Sequence, residues 1–159
     1  MRLNQDELIS KLYEMVRDDR SLLVEGTREI MIVFAQRENG KREASDFLHE
    51  IRTSDKRGNQ AIATYQRIFQ SIGKSGIIHN EQVFRQLENS EGIWEIKEHH
   101  LVTRMFCFFL RGEQPRMPVF LCLAFGIHKP GKRHLEHEAI HRAKAIRAEF
   151  INVINRRSF

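Results

Sequence analysis

Long apolar runs are missing from this chain. No stretch approaches the roughly 18 consecutive apolar residues of a membrane-spanning helix, so no membrane association is expected. Cysteine is scarce. Cys107 and Cys122 each sit inside an apolar run, which reads as buried thiols in a reducing compartment and not as a disulfide frame. The N-terminal stretch MRLNQDELISKLYEM is too acidic and too interrupted for a signal peptide, so a cytoplasmic protein is the expectation. Internal repeats and low-complexity segments are absent, which leaves an ordinary globular chain. Tyrosine occurs only at Tyr13 and Tyr65.

What is present is enough apolar material, 41% of 159 residues, for one domain, or for one domain with an arm. Charge is uneven. Residues 1–27 carry four Lys/Arg against six Asp/Glu, and the remaining residues 22 against 15. The final stretch from Gly126 carries eight against three. A basic body of this kind fits a polyanion, with nucleic acid the first choice, or simply a solvated basic surface.

Leu8, Ile9, Leu12, Met15 and Val16 recur at helical spacing after an Asn4 cap with its capping acid Glu7, which predicts a helix ending near Asp19. Residues 22–27 contain a glycine and read as a connector. EIMIVF at residues 29–34 reads as a strand, broken by Asn39-Gly40. Ala44, Phe47, Leu48 and Ile51 mark a second helix. Ile62, Tyr65, Ile68, Phe69 and Ile72 mark a third, ended by Gly73 and Gly76. Three strand signals follow: GIWEIK at 92–97, LVTRMFCFFL at 101–110 and VFLCLAF at 119–125. Their connections are too short for crossovers, so an antiparallel meander is expected. The last is apolar throughout and belongs at the centre of the sheet. Leu135, Ala139, Ala143, Ile146, Phe150 and Ile154 mark a closing helix. The expected class is α+β. Residues 28–159 form a β-α-α-β-β-β-α body, and residues 1–27 an N-terminal helical arm.

Four stretches in this order resemble the RelE/HigB superfamily of type II toxins, in particular its phage-derived HigB-like branch. They are NGKR followed by Phe47-Leu48 in residues 39–48, GIWEIK, TRMFCFF at 103–109, and LAFGIHKPGKR with EAIHRAKAIRAEF at 123–133 and 138–150. The resemblance spans about residues 28–152. It implies a RelE-like fold and a small basic endoribonuclease that cuts mRNA, often at the ribosome, without a metal or other cofactor. It also implies a cognate antitoxin partner, often one with a DNA-binding domain.

Metal-free RNA cleavage needs a base for the 2′-hydroxyl, cations for the phosphate and an acid for the leaving oxygen. Arg104 interrupts an apolar strand and carries a planar fork suited to phosphate. It falls where the resemblance places the strand arginine. His128 and Lys129 follow the last strand, where the resemblance places a basic pair, and either one can occupy its lysine position. No tyrosine ends the chain as in many members. His128, His99 and His100 are the replacement candidates, and His99 and His100 also read as an exposed turn. Lys132, Arg133 and Arg142 are candidates for RNA backbone contact or for a solvated helix face.

His137-Glu138-Ala139-Ile140-His141 spells H-E-x-x-H, the zinc-peptidase helix motif. A catalytic zinc needs a third protein ligand. The 18 residues after His141 offer only Glu149, which lies about 12 Å further along the same helix at 1.5 Å per residue. Adventitious metal binding at His134, His137 and His141 is the better account. The leading expectation is a ribonuclease toxin. The alternatives are a non-catalytic binding module on the same fold and, behind it, a zinc peptidase.

Overall fold

The computed structural model describes residues 4–27, 29–75, 82–128 and 134–157. It is a mixed α+β structure. Helix α1, Gln5–Asp18, leads through a 3₁₀ turn at Arg20–Leu22 into strands β1, Leu23–Gly26, and β2, Ile30–Phe34. Helices α2, Glu43–Arg52, and α3, Lys56–Ser75, follow. Next come strands β3, Phe84–Gln86; β4, Ile93–Glu98; β5, Thr103–Leu110; and β6, Val119–His128. Helix α4, His134–Arg156, is the last element. The strands form one sheet in the order β1-β2-β6-β5-β4-β3. Strands β2 and β6 are parallel, and the other neighbours antiparallel.

The meander β4-β5-β6 is the one the short connections predict. Strand β6 is central, as its apolar run requires. Helix α1 begins where its cap predicts. Asn4 Oδ1 accepts from the Glu7 N–H at 2.9 Å, and Asn4 Nδ2 donates to the Glu7 carboxylate at 2.7 Å. Two strands went unread. Residues 22–27 are not a plain connector, since β1 pairs with β2 across a register shift between Leu23 and Glu25. β3 is three residues long and follows no alternating run.

Each face of the sheet has its own core. On one face Ile93, Phe106, Phe108, Phe120 and Cys122 pack with α1 and α4. On the other, Ile32, Met105, Cys107, Leu121 and Leu123 pack with α2 and α3. The two thiols therefore leave adjacent strands on opposite faces. Both are free and fully buried, and burial pushes both thiols up. The α1 stripe is part of the first core: Leu8, Ile9, Leu12, Met15 and Val16 are all buried. Among the described residues no helix is long and apolar enough to cross a membrane.

The α2–α3 corner depends on Gly58. A Cβ there would lie 1.9 Å from the Ile51 carbonyl oxygen and 2.3 Å from Ser54 Oγ. A carbonyl cannot swing aside as a side chain can, so the corner must open. Gly58→Ala is expected to cost about 2–3 kcal/mol, the upper range for overpacking. At Gly126 the intruding Cβ would meet the buried Phe47 ring at 2.2–2.6 Å, its Cγ included, and rotation of the ring about its own axis does not move Cγ. Gly126→Ala should therefore also cost about 2–3 kcal/mol. Denaturant melts of both variants check the two costs.

Candidate functional site

The sheet face under α1 and α4 changes character at one end. Along β4 the apolar side chain of Ile93 gives way, on the same face, to Glu95 and Lys97. Along β5, Phe108 and Phe106 give way to Arg104. The register places Lys97 opposite Arg104, and Arg85 of β3 opposite Glu95. Four charged residues from three adjacent strands thus share one patch. Glu95 is its centre. Its side chain is only 6% exposed, with Arg85 Nε 3.2 Å from Oε1 and Arg104 Nε 3.7 Å from Oε2. Arg104 is itself largely buried and donates to the Thr103 carbonyl at 3.3 Å. A carboxylate this deep needs such partners, because an unpaired buried charge is strongly unfavourable.

His128 does not join this patch. The strand pairing sets Ile127 opposite Arg104, and His128 opposite Thr103. The reason is an irregularity in β6: Phe106 pairs with Phe125 while Cys107 pairs with Leu123, so Ala124 is the extra residue. Ala124 and Phe125 both join the α1/α4 core, and the inward-outward phase reverses after them. His128 therefore leaves on the α2 face, where its ring meets Phe47 edge-on at 5.9 Å. Lys129, Lys132 and Arg133 lie outside the described residues.

His99 and His100 form the β4–β5 turn, their rings 4.4 Å apart. Glu98 sits beneath them, fully buried. Its carboxylate accepts from the His100 N–H, from the Leu101 N–H at 3.1 Å and from Thr103 Oγ1 at 2.7 Å. The threonine proton is thereby committed, so Tyr65, 2.8 Å from Thr103 Oγ1, is the donor of that pair. Burial pushes the Tyr65 phenol up. The turn closes with Val102 at φ 56°, a conformation a β-branched residue adopts only under constraint. This buried network fixes the strand entry immediately before Arg104.

Arg142 is engaged in structure. It pairs with Glu43 of α2 and lies over the Phe125 ring at 4.1 Å. Glu43 also holds Arg37 at 2.7 Å, and Arg37 pairs with Glu149 of α4. The loop before α2 is thus tied to α4. Burial alone would raise the Glu43 carboxyl, but its bonds to Arg37 and Arg142 outweigh burial and hold it low. The Arg37 hydrogen bond, aided by the Glu38 N–H, likewise lowers Glu149. Depressed carboxyls add stability that is complete above their ordinary value, 4.5, and is lost as pH falls through the lowered values. The thermal midpoint should therefore drop as pH goes below about 4.5. Glu149→Gln should flatten that slope in melts recorded across the acid range.

His137, Glu138 and His141 lie exposed on α4. Among the described residues no three His, Cys, Asp or Glu are grouped to hold a metal ion. Compared with known proteins, the chain matches no family model, no curated protein and no solved structure. The site is therefore read from its own geometry. The residues that sequence reasoning passed over are Arg85, Glu95 and Lys97. The signal for Glu95 and Lys97 was available: in GIWEIK they continue the phase of buried Ile93. Arg85 gave none, because its strand is too short to alternate.

Proposed function

We propose that the chain is a RelE/HigB-like toxin, a metal-independent cytoplasmic endoribonuclease that cuts mRNA, at the ribosome, and is silenced by a cognate antitoxin carrying a DNA-binding domain. The observation that carries this reading is Glu95, a buried carboxylate held between the guanidiniums of Arg85 and Arg104 with Lys97 alongside. In this reading Glu95 takes the 2′-hydroxyl proton, Arg104 meets the charge that grows on the phosphate, and a water molecule protonates the departing 5′-oxygen. Arg85 and Lys97 add positive charge at the rim. The order β2-α2-α3-β3-β4-β5-β6-α4, with β2 beside β6, agrees with a β-α-α-β-β-β-α body that carries one added edge strand, β3. The test is to map RNA 5′ ends after brief expression. New ends inside coding regions, with growth arrest, support the reading. An unchanged end profile and unchanged growth remove it.

A non-catalytic binding module on the same fold is the second reading. What favours it is the position of His128 on the opposite face and of both tyrosines away from the patch. Tyr13 is exposed on α1, and Tyr65 of α3 is buried against the opposite face of the sheet. RNA bound without new ends would select it. The zinc-peptidase reading predicts otherwise for α4. We expect His137→Ala and Glu138→Ala each to leave growth arrest largely intact, and RNA cleavage to survive a chelator. Stoichiometric zinc whose removal ends the activity would reverse that expectation.

A further inference from the structure

We propose that the cleft between α2 and α3 binds a small amphipathic carboxylate, an unbranched acid of the medium-chain fatty type. The cleft holds about 530 Å³, within the range of small-molecule sites. Val24 of β1, Phe34 of β2 and Leu48 of α2 line it and stay half-buried. Ile62 and Phe69 of α3 complete an apolar floor. Tyr65 also lines the cleft, but its hydroxyl is committed to Thr103. The floor therefore offers no free polar group to the amides of a peptide, and an unbranched chain fits it better.

The two ends of the cleft carry opposite charge. Ile51, beside Arg52, lies against Gly58, where a Cβ would sit 1.9 Å from the Ile51 carbonyl oxygen. Glu25 lies against Gly73, where a Cβ would sit 3.6 Å from the Glu25 Cγ. Those two glycines stand roughly 22 Å apart along α3 at 1.5 Å per residue. Arg52 and His49 thus line the end at the α2–α3 corner, and Glu25 the end at β1. Glu25 Oε1 accepts from the Gly26 N–H at 3.3 Å. Arg52 is exposed and pairs with no acid among the described residues. Its fork can take both oxygens of a carboxylate head. From there a tail runs over the floor along α3 from Ile62 to Gln70, roughly 12 Å. Arg104 and Glu95 belong to the other face of the sheet, so the proposal does not depend on the ribonuclease reading.

The test titrates the full chain with octanoate, octylamine and octanol, which share a tail and differ in the head, and follows methyl resonances by two-dimensional NMR. Octanoate should move the Leu48 and Ile62 methyls and leave those of Leu12 and Ile146, in the opposite core, in place. It should bind more tightly than octanol by roughly tenfold. Arg52→Gln should keep the thermal midpoint, since the side chain is exposed, and remove that advantage. Gln66→Trp, which fills the cleft from an exposed position on α3, should melt like the parent and abolish the shifts. Octanoate binding that is absent, unchanged in Arg52→Gln, or felt equally in both cores overturns the proposal. So does octylamine that binds as tightly as octanoate and is weakened by Glu25→Gln, or a leucine tripeptide that takes the cleft more tightly than octanoate.

Discussion

Arg104→Ala is expected to lower RNA cleavage by about 10²- to 10³-fold, the usual loss when one preorganised donor to a developing charge is removed. The fold should survive. Glu95 keeps Arg85 at 3.2 Å, so its carboxylate is not orphaned, and the core residues flanking Arg104 on β5 are untouched. Glu95→Gln should produce a comparable loss for a different reason, since an amide cannot take the hydroxyl proton. Arg104→Lys should fall between, because an ammonium lacks the planar fork. The measurements are cleavage rate on a defined mRNA, growth on induction and a thermal melt of each variant. A folded, abundant Arg104→Ala protein that still arrests growth would defeat the assignment. Loss in Arg104→Ala with full activity in Glu95→Gln would keep the phosphate role and move the base elsewhere.

Removal of residues 1–19 should leave a chain that fails to fold stably. Leu8, Ile9, Leu12, Met15 and Val16 are between 0% and 8% exposed, packed in the α4 core. At roughly 1.5–3 kcal/mol per buried side chain, α1 contributes about 8–15 kcal/mol before the entropy of ordering it is subtracted. A domain's whole stability is about 5–15 kcal/mol. The truncated face would also expose Phe120 and Phe108, which invites aggregation. Leu12→Ala offers a milder reading of the same contact, with an expected cost of about 2–5 kcal/mol. Polar ties reinforce the seam: Lys11 caps the α4 C-terminus at the Asn155 and Arg157 carbonyls, and Asp6 accepts from the Glu113 N–H at 2.6 Å. A truncated protein that melts at the parent temperature would show the segment to be dispensable.

The helices were legible because their apolar residues keep one period over several turns, and the Asn4 cap marked the start of α1. Gly73, expected to end α3, lies within it. The site was only half legible. Arg104 announced itself as a charge in an apolar strand. Glu95 did not, because alternation shows that Ile93 and Glu95 share a face without showing that the face is buried. The bulge at Ala124 could not be read at all. In a strand apolar on both sides, a slip of phase leaves the pattern unchanged, and the slip decides which face receives His128. β1 and β3 were lost to length.

The parallel pairing of β2 with β6 joins Ile30 to Val119, across most of the chain. During synthesis, β2 must wait for its central neighbour until the meander has emerged. Until then β2 has only β1 beside it, and α2 and α3 have only that hairpin to cover. Closing so long a loop is slow, and chains held open in this way are prone to intermolecular strand pairing. The nascent protein should therefore depend on chaperones more than its length implies. Refolding from denaturant should be slow and should lose yield as protein concentration rises.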